Sequence, residues 1–143
     1  GDVLNATYAA LARMPRGLVV VNVQETDLAG HDENAARYAA CQREIDAGLG
    51  RLLPMLGPRD LLVITGDHGN DPTIGHDKHT REFTPLLAYG ERVAGRPLAA
   101  RASLADIAAT IADNFGVDPP EIGKSFLGEL ADVEPARERA AAT

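Results

Sequence analysis

No tryptophan occurs in this 143-residue chain, which also has only one cysteine, three phenylalanines, three tyrosines and four histidines. The lone cysteine, Cys41, excludes an internal disulfide and fits a reducing compartment. Aromatic residues make up 4% of the chain against 45% hydrophobic residues, so its core has to be aliphatic. No apolar run approaches the roughly 20 residues that span a bilayer, and no signal-peptide pattern is visible. The expectation is a cytoplasmic protein without a membrane partner. A net charge of −7 argues against nucleic-acid binding, which leaves a basic footprint. A small anionic substrate stays compatible with that charge, because bound metal ions reverse the local field.

What the chain does contain is unevenly placed. Three of the four histidines fall within GDHGNDPTIGHDKHTRE (66–82), and the fourth, His31, lies in TDLAGHDEN (26–34). Around these stretches the apolar pattern alternates between helix and strand. NATYAALARM (5–14) reads as a helix broken by Pro15-Arg16-Gly17. LVVVNV (18–23) is a continuous β-branched run of the kind that forms a strand buried on both faces. Ala36, Ala39, Ala40, Ile45, Leu49, Leu52 and Leu53 recur at helical spacing and predict a helix over 33–53, ended by Gly57-Pro58. LLVIT (61–65) and TPLLAYG (84–90) read as two further strands. Ser103-Leu104-Ala105-Asp106 resembles a capping box that opens a helix to about Phe115, stopped by Gly116 and the following prolines.

Strands alternating with helices predict an α/β domain of three α/β/α layers around a mostly parallel sheet. The length suits one domain, here 1–132, with 133–143 as a charged, Ala-rich, frayed tail. Ligands in such folds gather at the carboxyl ends of the strands, and both histidine stretches read as loops that follow predicted strands.

Asp27, His31, Asp67, His68 and His79 offer two carboxylates and three imidazoles. Oxygen and nitrogen donors without thiolate suit Mn²⁺ or Zn²⁺. Five donors exceed what one metal with an open position requires. Two metals about 4 Å apart are the arrangement that clamps attacking and leaving oxygens in phosphoryl transfer. Residue types alone also allow a single metal. Gly30 and Gly69 read as turn glycines beside these ligands. His76 reads as a surface residue, Asp71-Pro72 as a turn, Glu25 as a solvated acid rather than a ligand, and Cys41 as packing.

GDHGNDPT followed by HTREFTPLLAYG resembles the phosphopentomutases of the alkaline phosphatase superfamily, and the similarity continues through SLADIAATIADNFGV and IGKSFLGEL, covering about residues 17–130. The resemblance implies a partial alkaline phosphatase-like core that binds two divalent ions, Mn²⁺ first with Zn²⁺ or Mg²⁺ as alternatives. By position it gives Asp67 and His68 to one metal, and His31 and His79 to the other. The acid of the second metal departs from the phosphopentomutase pattern, where it lies five residues before the Gly-His histidine, the place of Thr26. Asp27, four residues before His31, matches instead the Asp-x-x-x-His spacing of the cofactor-independent phosphoglycerate mutases, and is taken as the ligand.

In that superfamily the catalytic Thr or Ser and a further metal-binding Asp come from the N-terminal part of the core, with a cap domain between the two core halves. The chain is therefore expected to be the C-terminal half of a larger enzyme, inactive alone and partnered by the N-terminal half and cap. The complete enzyme would act on a phosphorylated sugar, interconverting ribose 1-phosphate and ribose 5-phosphate. A metal-dependent phosphatase or phosphodiesterase of the same superfamily, and a non-catalytic metal-binding module, are the alternatives. Arg81 would orient phosphate or pair with an acid such as Glu82.

Overall fold

A computed structural model describes residues 2–131; the expected tail at 133–143 lies outside the described residues. The backbone divides into two compact units. Of the described residues, one unit comprises 2–57 and 66–85, the other 58–65 and 86–131.

The first unit is helical. Helix α1, Asp2–Arg13, begins with an acid and ends with a base, as the helix dipole favours. It buries Leu4 and Thr7, and Tyr8 donates its hydroxyl to the Gly48 carbonyl (3.0 Å). The stretch expected to be an irregular loop instead contains helix α2, Glu25–His31. Two acids in its first turn and a histidine in its last complement the dipole, which the polar, glycine-bearing sequence concealed. Helix α3, Ala35–Leu52, agrees with the predicted 33–53 segment. Asn34 caps it by accepting a hydrogen bond from the Arg37 N–H (2.9 Å). Helices α2 and α3 pack on each other, and Ala29 and Leu52 are buried.

The second unit contains the strands β1, Leu62–Thr65, and β2, Leu86–Tyr89. They pair antiparallel, Leu62 opposite Tyr89 and Thr65 opposite Leu86. Helix α4, Ala105–Phe115, starts and stops near its predicted limits, with Gly116 left-handed at its end. The predicted capping box does not close. Ser103 Oγ accepts from the Ala105 N–H (3.1 Å), while the Asp106 carboxylate turns to Arg101 Nε (2.9 Å) and the Lys124 N–H (2.9 Å). That diversion fastens the IGKSFLGEL segment to α4. Thr110 Oγ1 accepts the Phe126 N–H (3.0 Å), and Phe126 is fully buried. The short helix α5, Leu127–Leu130, follows.

The mixed α/β character is as expected, but the sheet is not. Among the described residues there is one two-stranded antiparallel sheet, where a mostly parallel sheet within three layers was predicted. LVVVNV forms no strand, and Val20 is 80% exposed. A β-branched run favours extended backbone, but it becomes a strand only when another strand completes its ladder. Here the ladder of β1 is taken up by β2, and no described segment pairs with residues 18–23. No helix among the described residues is long and apolar enough to cross a membrane.

Candidate metal centre

The two histidine stretches meet in space, all within the first unit. Helix α2 sets Asp27 and His31 one turn apart, on one face, with Asp27 Oδ1 3.3 Å from His31 Nε2. The 66–82 stretch folds back on itself through a single antiparallel bridge, Gly69 opposite Thr80, with the Thr80 N–H donating to the Gly69 carbonyl (3.0 Å). That bridge brings His68 and His79 together, their rings stacked with centroids 3.6 Å apart. Both reach the same carboxylate oxygen: Asp27 Oδ1 is 3.6 Å from His68 Nε2 and 3.5 Å from His79 Nε2. His31 and His79 face each other through their Nε2 atoms at 3.1 Å.

Two of these imidazoles are oriented from behind. His31 Nδ1 lies 2.7 Å from the Asp77 carbonyl, and His68 Nδ1 lies 3.2 Å from the Gly69 carbonyl. A carbonyl can only accept, so in the neutral ring each Nδ1 carries the proton and each Nε2 presents a bare lone pair to the centre. Asp27 Oδ1 is itself an acceptor. Even with His79 donating from Nε2, one donor would face three converging acceptors, and like dipoles at such distances repel. A divalent cation shared among them removes that conflict. Asp27, His68 and His79 can each offer an atom within 4.8 Å of the others, and the oxygen and nitrogen donors suit Mn²⁺ or Zn²⁺. The residues present therefore fit a metal.

Asp27, His31 and His79, expected together at one metal, present atoms 3.1–3.5 Å from one another. A second set, Asp27, His68 and His79, draws on both expected groups. Asp67 stands at the margin, its Oδ1 3.7 Å from His68 Nε2 and its side chain 85% exposed. Glu25 is exposed. Its backbone carbonyl accepts from Cys41 Sγ (3.7 Å). His76 is also exposed, accepting the Lys78 N–H at 3.2 Å, outside the cluster. Arg81 enters no ion pair among the described residues, and Glu82 instead accepts from the Thr80 hydroxyl.

Neither Gly30 nor Gly69 serves as a turn residue: Gly30 lies within α2 and Gly69 in the bridge to Thr80. Both are places of close approach. A Cβ on Gly30 would meet the Asn70 side-chain amide, and one on Gly69 would meet the Glu82 carboxylate and the Thr80 backbone. Sequence reasoning missed Asn70. Its Nδ2 donates to Asp27 Oδ1 (2.9 Å) and also lies within reach of the Asp27 carbonyl (3.2 Å). The only signal was an amide side chain directly after Asp-His-Gly.

A cleft of about 340 Å³ opens beside His68, lined also by Tyr38, Asn70, Asp71, Glu82 and Phe83. The Thr73 hydroxyl (2.7 Å) and backbone N–H (2.8 Å) both donate to Asp71 Oδ1. These two bonds hold the Asp71 carboxyl below its ordinary pKa, and they form the turn expected at Asp71-Pro72. Asp77 is likewise held low, by Lys78.

Comparison with known proteins agrees with this chemistry. The chain is 45% identical over 130 residues to a phosphopentomutase of Anaeromyxobacter dehalogenans (strain 2CP-C) and 42% identical over 131 residues to one of Symbiobacterium thermophilum. Each match covers 90% of this chain and 33% of the relative, so the chain spans about a third of the length of the curated relatives it matches. Residues 2–119 match the Metalloenzyme superfamily, and this chain belongs to that family.

Proposed function

We propose that this chain is the C-terminal half of the core of a dinuclear-metal phosphotransferase of phosphopentomutase type. The identity of 42–45% to phosphopentomutases over nine-tenths of the chain carries the reading. The convergence of acceptors on Asp27 supports it. Asp27, His31, Asp67, His68 and His79 are the metal ligands in this reading. The relatives are about three times as long as the match, so the nucleophile segment, the cap and the rest of a three-layer, mostly parallel core belong to the remaining two-thirds.

Bound divalent ions, Mn²⁺ first, supply the positive charge that activates the nucleophile and stabilises the transferring phosphoryl group. The chain's own residues prepare for that. The Asp77 and Gly69 carbonyls fix the His31 and His68 tautomers so that both Nε2 atoms face inward. Arg81, exposed and outside any described ion pair, is free to orient a phosphate, and the cleft beside His68 gives the sugar room.

The test uses the full-length protein with Mn²⁺ and ribose 5-phosphate, followed by phosphorus NMR. The expected outcome is ribose 1-phosphate without inorganic phosphate. Stoichiometric release of inorganic phosphate would replace the mutase with a phosphatase on the same metal site. No reaction with any pentose phosphate would remove the substrate assignment altogether.

A further inference from the structure

We infer that Asn70 is a positioning residue for the metal centre, holding the Asp27 carboxylate in its ligating orientation, and that Gly30 lacks a side chain in order to admit the Asn70 amide. The inference rests on the reading of Asp27 as a metal ligand.

Asp27 Oδ1 is the atom on which His31, His68 and His79 all converge, at 3.3, 3.6 and 3.5 Å. Without a cation, the acceptors around it would drive that carboxylate away by rotation about its side-chain torsions. Among the described residues, the neutral hydrogen-bond donor held against Oδ1 from outside the histidine group is Asn70 Nδ2, at 2.9 Å. The same nitrogen lies 3.2 Å from the Asp27 backbone carbonyl. One amide group thus engages both the side chain and the main chain of the ligand, which fixes the side-chain rotamer relative to α2. A carboxylate has lone pairs enough to accept this bond and still bind a metal.

The route of the amide explains Gly30. Gly30 lies within α2, three residues after Asp27 and so on the same side of the helix. It is buried. A Cβ there would collide with Asn70 Oδ1, Cγ and Nδ2 together, the whole amide group, whose place is fixed by its two contacts to Asp27. Helix propensity alone disfavours glycine at such a position. Its presence is accounted for by the amide that crosses it. Asn70 also stands two residues after His68, so it ties the α2 ligands to the Asp-His-Gly ligands across 43 residues of sequence.

The experiment measures Mn²⁺ affinity by titration calorimetry in the full-length protein, for the parent, Asn70→Ala, Asn70→Leu, Gly30→Ala and the Gly30→Ala/Asn70→Ala double variant. Each is measured at a temperature where circular dichroism shows it folded. The two Asn70 variants and Gly30→Ala should each weaken binding by about 10-fold or more, the usual consequence of losing an outer-shell partner. The double variant should bind no worse than Asn70→Ala, because the notch is already empty. Asn70→Leu fills the volume without donating, so loss of affinity in that folded variant separates positioning from packing. If it does not fold, Asn70→Ala and Gly30→Ala carry the test. Affinity within twofold of the parent in the folded Asn70 variants would overturn the positioning role, leaving the metal centre intact. Additive losses in the double variant would overturn the pairing of Gly30 with Asn70. A parent that binds no Mn²⁺ would overturn the metal centre, and this inference with it.

Discussion

Asp27 in the first unit and Asp106 in the second are both carboxylates drawn away from full exposure, and their surroundings are opposite in kind. Asp106 receives Arg101 Nε (2.9 Å) on one oxygen and the Lys124 N–H (2.9 Å) on the other. Arg101 in turn donates to Glu129 (2.8 Å). Each acceptor there meets a donor, and the result is a closed structural network tying α4 to the segment that follows it. Asp27 has one neutral donor, Asn70, and otherwise faces three imidazole nitrogens, and the His31 and His68 rings hold their protons on the far side against carbonyls. A polar cluster complete within the chain serves the fold. One whose acceptors converge on each other can hold a cation, which is the role proposed for the Asp27 cluster.

The largest break in that comparison is expected on the structural side. Phe126, fully buried beneath this network, should cost about 3–5 kcal/mol when truncated to alanine, read as a lowered midpoint in urea. Mn²⁺ should not restore it beyond the stabilisation it gives the parent. On the other side, Mn²⁺ at about 100 times its dissociation constant should stabilise the folded protein by roughly 2.7 kcal/mol, seen as a raised melting temperature. His79→Ala should abolish most of that rise. If it did not, the cluster around Asp27 would be a structural histidine group after all.

Asp106 sharpens the contrast through pH. The Lys124 N–H, followed by Arg101, lowers its pKa in the folded state. A depressed carboxylate contributes stability that is fully present above its unfolded pKa, near 3.8, and that is lost as pH falls through the folded value. Asp106→Asn should therefore destabilise the protein at neutral pH and flatten the loss of stability below about pH 4, measured by melting temperature against pH. An unchanged acid limb would mean the network contributes nothing. The smallest effect is expected at His76, exposed and bonded only to its own loop. His76→Ala should change stability by no more than about 0.5 kcal/mol and leave Mn²⁺ affinity unchanged. A loss equal to that of His79→Ala would show that the wrong histidine was set aside.

What the sequence determined by itself is local. The periodicity of residues 35–52 and 105–115, the Gly116 stop and the strand-like runs at 62–65 and 86–89 all lie in short-range patterns, and each is present in the structure. The residue types of the histidine–carboxylate cluster were equally legible, because carboxylate and imidazole chemistry is written in composition and the Asp-His-Gly and His-Thr-Arg-Glu motifs carry a family resemblance. Tertiary structure decided what depends on partners distant in the chain. LVVVNV has strand propensity, yet no ladder completes it here, so propensity alone did not make a strand. Asp27 and His31 read as loop residues, yet both sit on a helix, where the i, i+4 spacing aims them together. Gly30 and Gly69 look like turn glycines in one dimension; in three they are gaps through which Asn70 and Glu82 pass. A glycine's purpose lies in what fills the space it leaves, and here that atom comes from 40 residues away for Gly30 and 13 for Gly69, beyond the reach of any local pattern.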